Sequence, residues 1–186
     1  MDHPGVFLDR DGTLIVEKNY LSNPDDVELE GGVVEGLQLL QTHGLPLIVL
    51  TNQSGIGRGY FDLEAAVTVN RRVDEILREN GVLLTGWYIC PHAPGDGCLC
   101  RKPGRALADR AAADFGLSLE GSFVVGDKRS DLELAFAIGA TGILITTGHG
   151  RADVAWATAR GCAVTGDFLD AARIIAAQTG DVGSAR

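Results

Sequence analysis

Along the chain, short apolar runs of strand length alternate with longer stretches in which apolar residues recur every three or four positions. A parallel strand buried on both sides reads as a continuous apolar run, and a helix covering it needs only one apolar stripe. The alternation therefore predicts an α/β fold: a parallel sheet with helices on both faces. Strands are predicted at 6–8, 46–50, 87–90, 123–125 and 142–145, and helices at 33–42, 63–80, 105–115, 131–138, 152–160 and 167–177. The longest helix carries Ala66, Val69, Val73, Ile76 and Leu77 on one stripe, starts after Asp62 as an N-cap and stops at Gly81. There is no repeat and no low-complexity linker, so a single domain over residues 1–186 is expected, with a small polar tail from about 179 to 186 that frays.

Ligands of open parallel sheets bind beyond the carboxyl ends of the strands, so the polar groups that follow the strands carry the chemistry. Four such groups occur: Asp9, Asp11 and Thr13; Thr51, Asn52, Gln53 and Ser54; Arg101 and Lys102; and Asp127 with Asp131. Asp9 and Asp11 are two apart, so an extended chain presents both to one spot, where their repulsion calls for a divalent cation or a shared proton. Asp127 adds a third carboxylate, and an all-oxygen donor set suits Mg2+. With a phosphoryl group bound, Asp9 is placed to attack phosphorus and Asp11 to act as acid and base, while Lys102, the Thr51 hydroxyl and the Asn52 amide compensate charge on the phosphoryl oxygens. Each group alone reads as ordinary turn or surface polarity, and Asp131 reads as a helix N-cap or a supporting group. Their conjunction points to phosphoryl chemistry.

FLDRDGTL, LTNQSG, CRKP and VVGDKRSD, in this order and each after a strand, resemble the four motifs of haloacid dehalogenase (HAD) superfamily phosphatases over about residues 5–147. The resemblance implies a HAD-like, Rossmann-like sheet, an aspartyl phosphate on Asp9, acid/base work by Asp11, and phosphate stabilisation by Thr51 and Lys102. It also implies Mg2+ bound by Asp9, by the backbone carbonyl of Asp11 and by Asp127. SGIGRGYF reads as a flexible loop near the phosphate, with Arg58 as a possible substrate contact.

Cys90, His92, Cys98 and Cys100 place three thiols and an imidazole within eleven residues. Each pair is spaced by one residue and the pairs are joined by a turn-forming PHAPGDG, a Cys3His set suited to a closed, structural Zn2+. An ordered zinc loop at 90–100 would fix the adjacent Arg101 and Lys102. The loop looks like that of the branch containing heptose bisphosphate phosphatases and histidinol-phosphate phosphatases, which lacks a separate cap domain. In that branch the stretch matching Glu17, Lys18, Asn19 and Tyr20 contacts substrate, as do Thr51, Asn52, Gln53, Ser54, Arg101 and Lys102. Arg101, with Lys18 behind it, is the expected partner of a second phosphate. His3, His43 and His149 receive no role, and Cys162 reads as a buried, inert thiol.

Composition narrows the partners. The 186 residues carry 25 acidic and 16 basic side chains, a formal net charge of −9, which disfavours nucleic acid or an anionic membrane as the main partner. No apolar run approaches the roughly 18 residues of a membrane span and the chain opens without a leader pattern, so a cytoplasmic monomer is expected. The resemblance implies a Mg2+-dependent phosphatase acting on the 7-phosphate of a small sugar phosphate, heptose 1,7-bisphosphate. Histidinol phosphate is the alternative substrate, and a non-catalytic phosphate-binding adaptor the alternative class.

Overall fold

In a computed structural model of the chain, residues 3–180 are described. Six strands, β1 (His3–Leu8), β2 (Leu47–Asn52), β3 (Gly86–Cys90), β4 (Leu117–Gly126), β5 (Thr141–Ile145) and β6 (Ala163–Thr165), form one parallel sheet in the order β3-β2-β1-β4-β5-β6. Between and after them run α1 (Val33–Thr42), α2 (Ser54–Gly57), α3 (Leu63–Glu79), α4 (Ala106–Phe115), α5 (Arg129–Ile138), α6 (Val154–Thr158) and α7 (Phe168–Thr179).

The period-two alternation of the strands divides the core. Val6 and Leu8, Leu47 and Val49, and Phe123 and Val125 face one side, where they meet Leu37 of α1, Val69 and Val73 of α3 and Phe168 of α7. Phe7, Ile48, Leu50 and Val124 face the other, against Leu107 and Ala111 of α4 and Leu134 and Ile138 of α5. Helices thus cover both faces, and the Asp62 carboxylate caps α3 by accepting the Ala65 amide at 2.8 Å.

Several elements differ from the sequence expectation. β6 is a sixth strand, three residues long and too short to show a period. β4 begins at Leu117 rather than 123; residues between Ser118 and Phe123 leave the ladder, and this irregularity hides its first half. The stretch expected as a flexible loop opens with the one-turn α2. The helix expected at 152–160 is a 3-10 turn, Gly150–Asp153, followed by the short α6. Cys162 is half-buried rather than fully buried. Thr179 of the expected tail closes α7, and residues 181–186 lie outside the described residues. Among the described residues no helix is long and apolar enough to cross a membrane.

The chain enters the sheet at β1, builds outward through β2 and β3, then crosses back to β4 on the other side of β1. Connections leaving β1 and β4 therefore run in opposite directions, which opens a crevice beyond their carboxyl ends. Gly36 of α1 lets that helix approach α7, because the Phe168 ring fills the space a β-carbon would take. Phe168 is fully buried, so Phe168→Ala should lower unfolding free energy by about 3–5 kcal/mol in urea denaturation.

Candidate active site

The crevice is a cavity of about 250 Å³ at the ends of β1, β2 and β4. Asp9 follows β1 directly and its amide still bonds Val125 of β4 at 3.0 Å, so the strand pairing itself sets its position. Asp9 Oδ1 accepts the Lys102 ammonium at 2.8 Å, and that ammonium lies 2.7 Å from Asp131 Oδ1. Lys102 comes from the loop after β3. Asn52, at the end of β2, brackets it: Asn52 Oδ1 accepts the Lys102 amide at 3.0 Å and Asn52 Nδ2 donates to the Lys102 carbonyl at 3.2 Å.

Asp127, directly after β4, accepts the His149 amide on Oδ2 at 2.8 Å and turns Oδ1 toward Lys128 Nζ, 3.2 Å away. Gly12 and Gly148 press on its carboxylate from two sides; both have positive φ (81° and 49°), and a β-carbon on either would overlap Asp127 Oδ2. Of the two roles expected for Asp131, helix N-cap or supporting group, the structure fits the second. Lys128 occupies the N-cap position, and Asp131, on the first turn of α5, accepts the Lys128 amide on Oδ2 at 3.1 Å while Oδ1 reaches Lys102.

Burial raises the pKa of Asp9, but Lys102 and Lys128 outweigh it and hold the carboxyl below its ordinary range. Burial disfavours the Lys102 ammonium, yet Asp131 and Asp9 more than offset this and keep it charged. Asp127 has less help: burial and the Asp9 charge push its pKa up to about 7. Carboxylate oxygens of Asp9, Asp127 and Asp131 lie within 4.8 Å of one another, and the buried Oδ1 of Asp127 accepts no hydrogen bond. Such a cluster, with an orphaned buried oxygen at its centre, fits a hard cation. The Asp11 carbonyl oxygen lies 3.5 Å from Lys128 Nζ, while its side chain is committed elsewhere.

That commitment involves a residue the sequence reading passed over. Arg10 is fully buried; its guanidinium forks onto both Asp11 oxygens at 3.0 and 3.1 Å and donates to Asn70 Oδ1 at 2.7 Å. Gln53 Nε2 adds a bond to Asp11 Oδ2 at 2.8 Å and one to Thr51 Oγ1 at 2.7 Å. The available signal was Asn70, a buried amide on the otherwise apolar stripe of α3 that requires a buried partner.

The remaining expected residues divide. Asn52, Gln53, Ser54 and Arg101 line the cavity, as do Glu17, Asn19 and Tyr20. Asn19 and Tyr20 both have left-handed backbones, φ 46° and 59°, with the Asn19 amide bonded to Glu17 Oε1 at 3.0 Å and Tyr20 set edge-on against Tyr60 at 4.8 Å. Lys18 turns away, bonded to the Asp26 carbonyl at 2.8 Å and 3.2 Å from Glu28. The Thr51 hydroxyl lies beneath Gln53, off the cavity wall, and Arg58 is exposed outside it. His149 and Ser130, given no role from sequence, line it.

Beside the crevice the four donors of the cysteine cluster converge. Cys90 Sγ lies 3.3 Å from Cys100, 3.7 Å from Cys98 and 3.6 Å from His92 Nδ1, which is 3.2 Å from Cys100 Sγ. Zn–S bonds of about 2.3 Å put the vertices of a tetrahedron about 3.8 Å apart, so the donors fit Zn2+. Burial pushes the Cys90 thiol up to about 12, so a cation is what would make its thiolate favourable. Gly57 of α2 packs against residues 91–93, and Arg101 donates to the His92 carbonyl at 3.4 Å, tying this loop to the cavity wall.

Lys102 is the shared cation of two buried carboxylates. Lys102→Met should therefore cost about 3–5 kcal/mol of unfolding free energy in urea titration, because it leaves buried charge uncompensated.

Comparison with known proteins gives consistent relatives. Residues 99–171 match the family model described as HAD-hydrolase-like. A D-glycero-beta-D-manno-heptose-1,7-bisphosphate 7-phosphatase of Helicobacter pylori is 42% identical over 128 residues, 68% of this chain and 74% of that protein. One of the same name from Haemophilus ducreyi is 41% identical over 156 residues, 80% and 86% of the two chains. Among solved structures, a D,D-heptose 1,7-bisphosphate phosphatase from B. bronchiseptica complexed with magnesium and phosphate superposes with a TM-score of 0.85 at 29% identity, covering 92% of this chain and 97% of that one.

Proposed function

The chain belongs to the HAD-like hydrolases, in the branch of the heptose-1,7-bisphosphate 7-phosphatases, and on that premise we propose that it removes the 7-phosphate of D-glycero-D-manno-heptose 1,7-bisphosphate. The observation that carries the chemistry is Asp9: an ionised carboxylate at the cavity floor, held from one side by Lys102, with Asp11 on the same wall.

An Asp9 oxygen attacks phosphorus as the bond from phosphorus to the sugar oxygen breaks, and Asp11 gives its proton to that departing oxygen. Water then attacks the aspartyl phosphate; Asp11 takes the proton, the bond between phosphorus and Asp9 breaks, and inorganic phosphate leaves. For this Asp11 must release one oxygen from Arg10, while the other, with Gln53, keeps the side chain aimed. Lys102 offsets charge gathering between Asp9 and the phosphoryl oxygens. Asp9, Asp127 and the Asp11 carbonyl would hold Mg2+, which supplies positive charge for the phosphoryl oxygens when bound.

Arg101, on the cavity wall, suits the second phosphate. Lys18 is left out of that role by its bonds to Asp26 and Glu28. Cys90, His92, Cys98 and Cys100 would hold a closed structural Zn2+, whose part is to set the loop carrying Arg101 and Lys102. A cytoplasmic monomer with a small sugar phosphate as its partner completes the reading, and the net charge of −9 supports leaving out nucleic acid and membranes.

Asp9→Asn should abolish phosphate release with Mg2+ present while leaving the circular dichroism spectrum intact; retained turnover would refute covalent catalysis. In a panel of phosphate esters, kcat/KM should be highest for the heptose bisphosphate, and a preference for histidinol phosphate would reassign the substrate. Elemental analysis of protein purified without chelator should find about one zinc per chain, and three free thiols in the cluster with no zinc would remove that assignment.

A further inference from the structure

Lys128 makes the contacts that a cation in the carboxylate cluster would claim. Its ammonium nitrogen lies 3.2 Å from Asp127 Oδ1, 3.5 Å from the Asp11 carbonyl oxygen and 3.9 Å from Asp9 Oδ2. These are the three groups assigned above to Mg2+. A fourth contact, 3.5 Å to Glu17 Oε2, points along the cavity wall. Lys102 differs: its side chain is 3% exposed and pinned between two carboxylates, whereas that of Lys128 is 37% exposed and reaches the cluster from the rim.

An ammonium and a divalent ion satisfy the same oxygens but cannot share them, since like charges a few ångströms apart repel strongly where water is scarce. We propose that Lys128 is the resident counter-ion of the metal-free cluster, that entering Mg2+ displaces its ammonium along the wall toward Glu17 and the substrate cavity, and that this exchange sets the metal affinity. The inference rests on the Mg2+ reading of Asp9, Asp11 and Asp127. It accounts for how buried aspartates are tolerated before metal arrives, because Asp127 Oδ1 accepts no hydrogen bond and meets only the Lys128 charge. It also makes the site's apparent affinity the intrinsic one reduced by the fraction of molecules in which Lys128 has left.

The chain has only three lysines, which makes displacement directly readable. The full-length protein would be pulse-labelled with an amine-acetylating reagent, with and without Mg2+, then digested and analysed by mass spectrometry; Lys18, outside the cavity, serves as the internal reference. Mg2+ should speed labelling of Lys128 severalfold relative to Lys18, and an unchanged or slower rate overturns the proposal. In calorimetric titration with Mg2+ alone, Lys128→Met should bind about tenfold more tightly than the parent, as expected if the ammonium fills the site nine-tenths of the time. Equal or weaker binding overturns it. If the parent binds Mg2+ but Lys128 labelling does not respond, the exchange alone falls; if neither protein binds Mg2+, the metal reading falls with it. The labelling arm needs no variant, so a folding failure of Lys128→Met leaves the test intact.

Discussion

Compensation of buried charge at the central crevice is the constraint on which the rest depends. Three carboxylates, Asp9, Asp127 and Asp131, are taken out of water within a few ångströms of each other, a placement that costs several kcal/mol per ion unless opposite charge is brought to meet it. Lys102 meets two of them from the loop after β3, and Lys128 meets two from the start of α5. Every neighbouring element follows from holding these groups in place. The β1–β4 ladder fixes the aspartates, Asn52 brackets the Lys102 backbone, and the 90–100 loop sets the segment that leads into Lys102.

The same constraint separates Asp11 from the other acids. It is two residues beyond Asp9, yet its carboxylate is drawn away from the cluster by Arg10 and Gln53, so its side chain and its carbonyl face different partners, the latter the Lys128 ammonium. Arg10 reaches this role by being buried between the first loop and α3, where Asn70 accepts its remaining donor. A guanidinium is suited to this because its planar fork satisfies both carboxylate oxygens at once, which an ammonium cannot do.

Much of this was legible from residue order, for physical reasons. Strand-length runs ending in polar groups give the sheet and its crevice, and Asp9 and Asp127 meet there because each directly follows a strand, while Lys102 reaches them from the loop after β3. Residue spacing did the same for the convergence of Cys90, His92, Cys98 and Cys100, where short-range geometry decides. What escaped depends on tertiary direction. Lys18 and Tyr20 are two apart in one loop, yet one turns outward to Asp26 and the other into the cavity, a choice made by successive left-handed residues that no periodicity announces. Arg10 was hidden because a charged residue between two acids reads as surface polarity, and His149 because its contact with Asp127 runs through its backbone amide. β6 and the first half of β4 were lost to brevity and to an irregular ladder.

The pinch of Gly12 and Gly148 around Asp127 bears on how this chain tolerates change over generations. Both glycines sit in turns, the class of position where substitutions are ordinarily absorbed. Here any side chain at either would collide with a buried carboxylate and oppose a positive φ as well, so the permissive appearance of these turns is misleading. In a map of mutational tolerance they would stand out as two intolerant glycines far apart in sequence, marking the Asp127 carboxylate from outside without containing a reactive atom themselves.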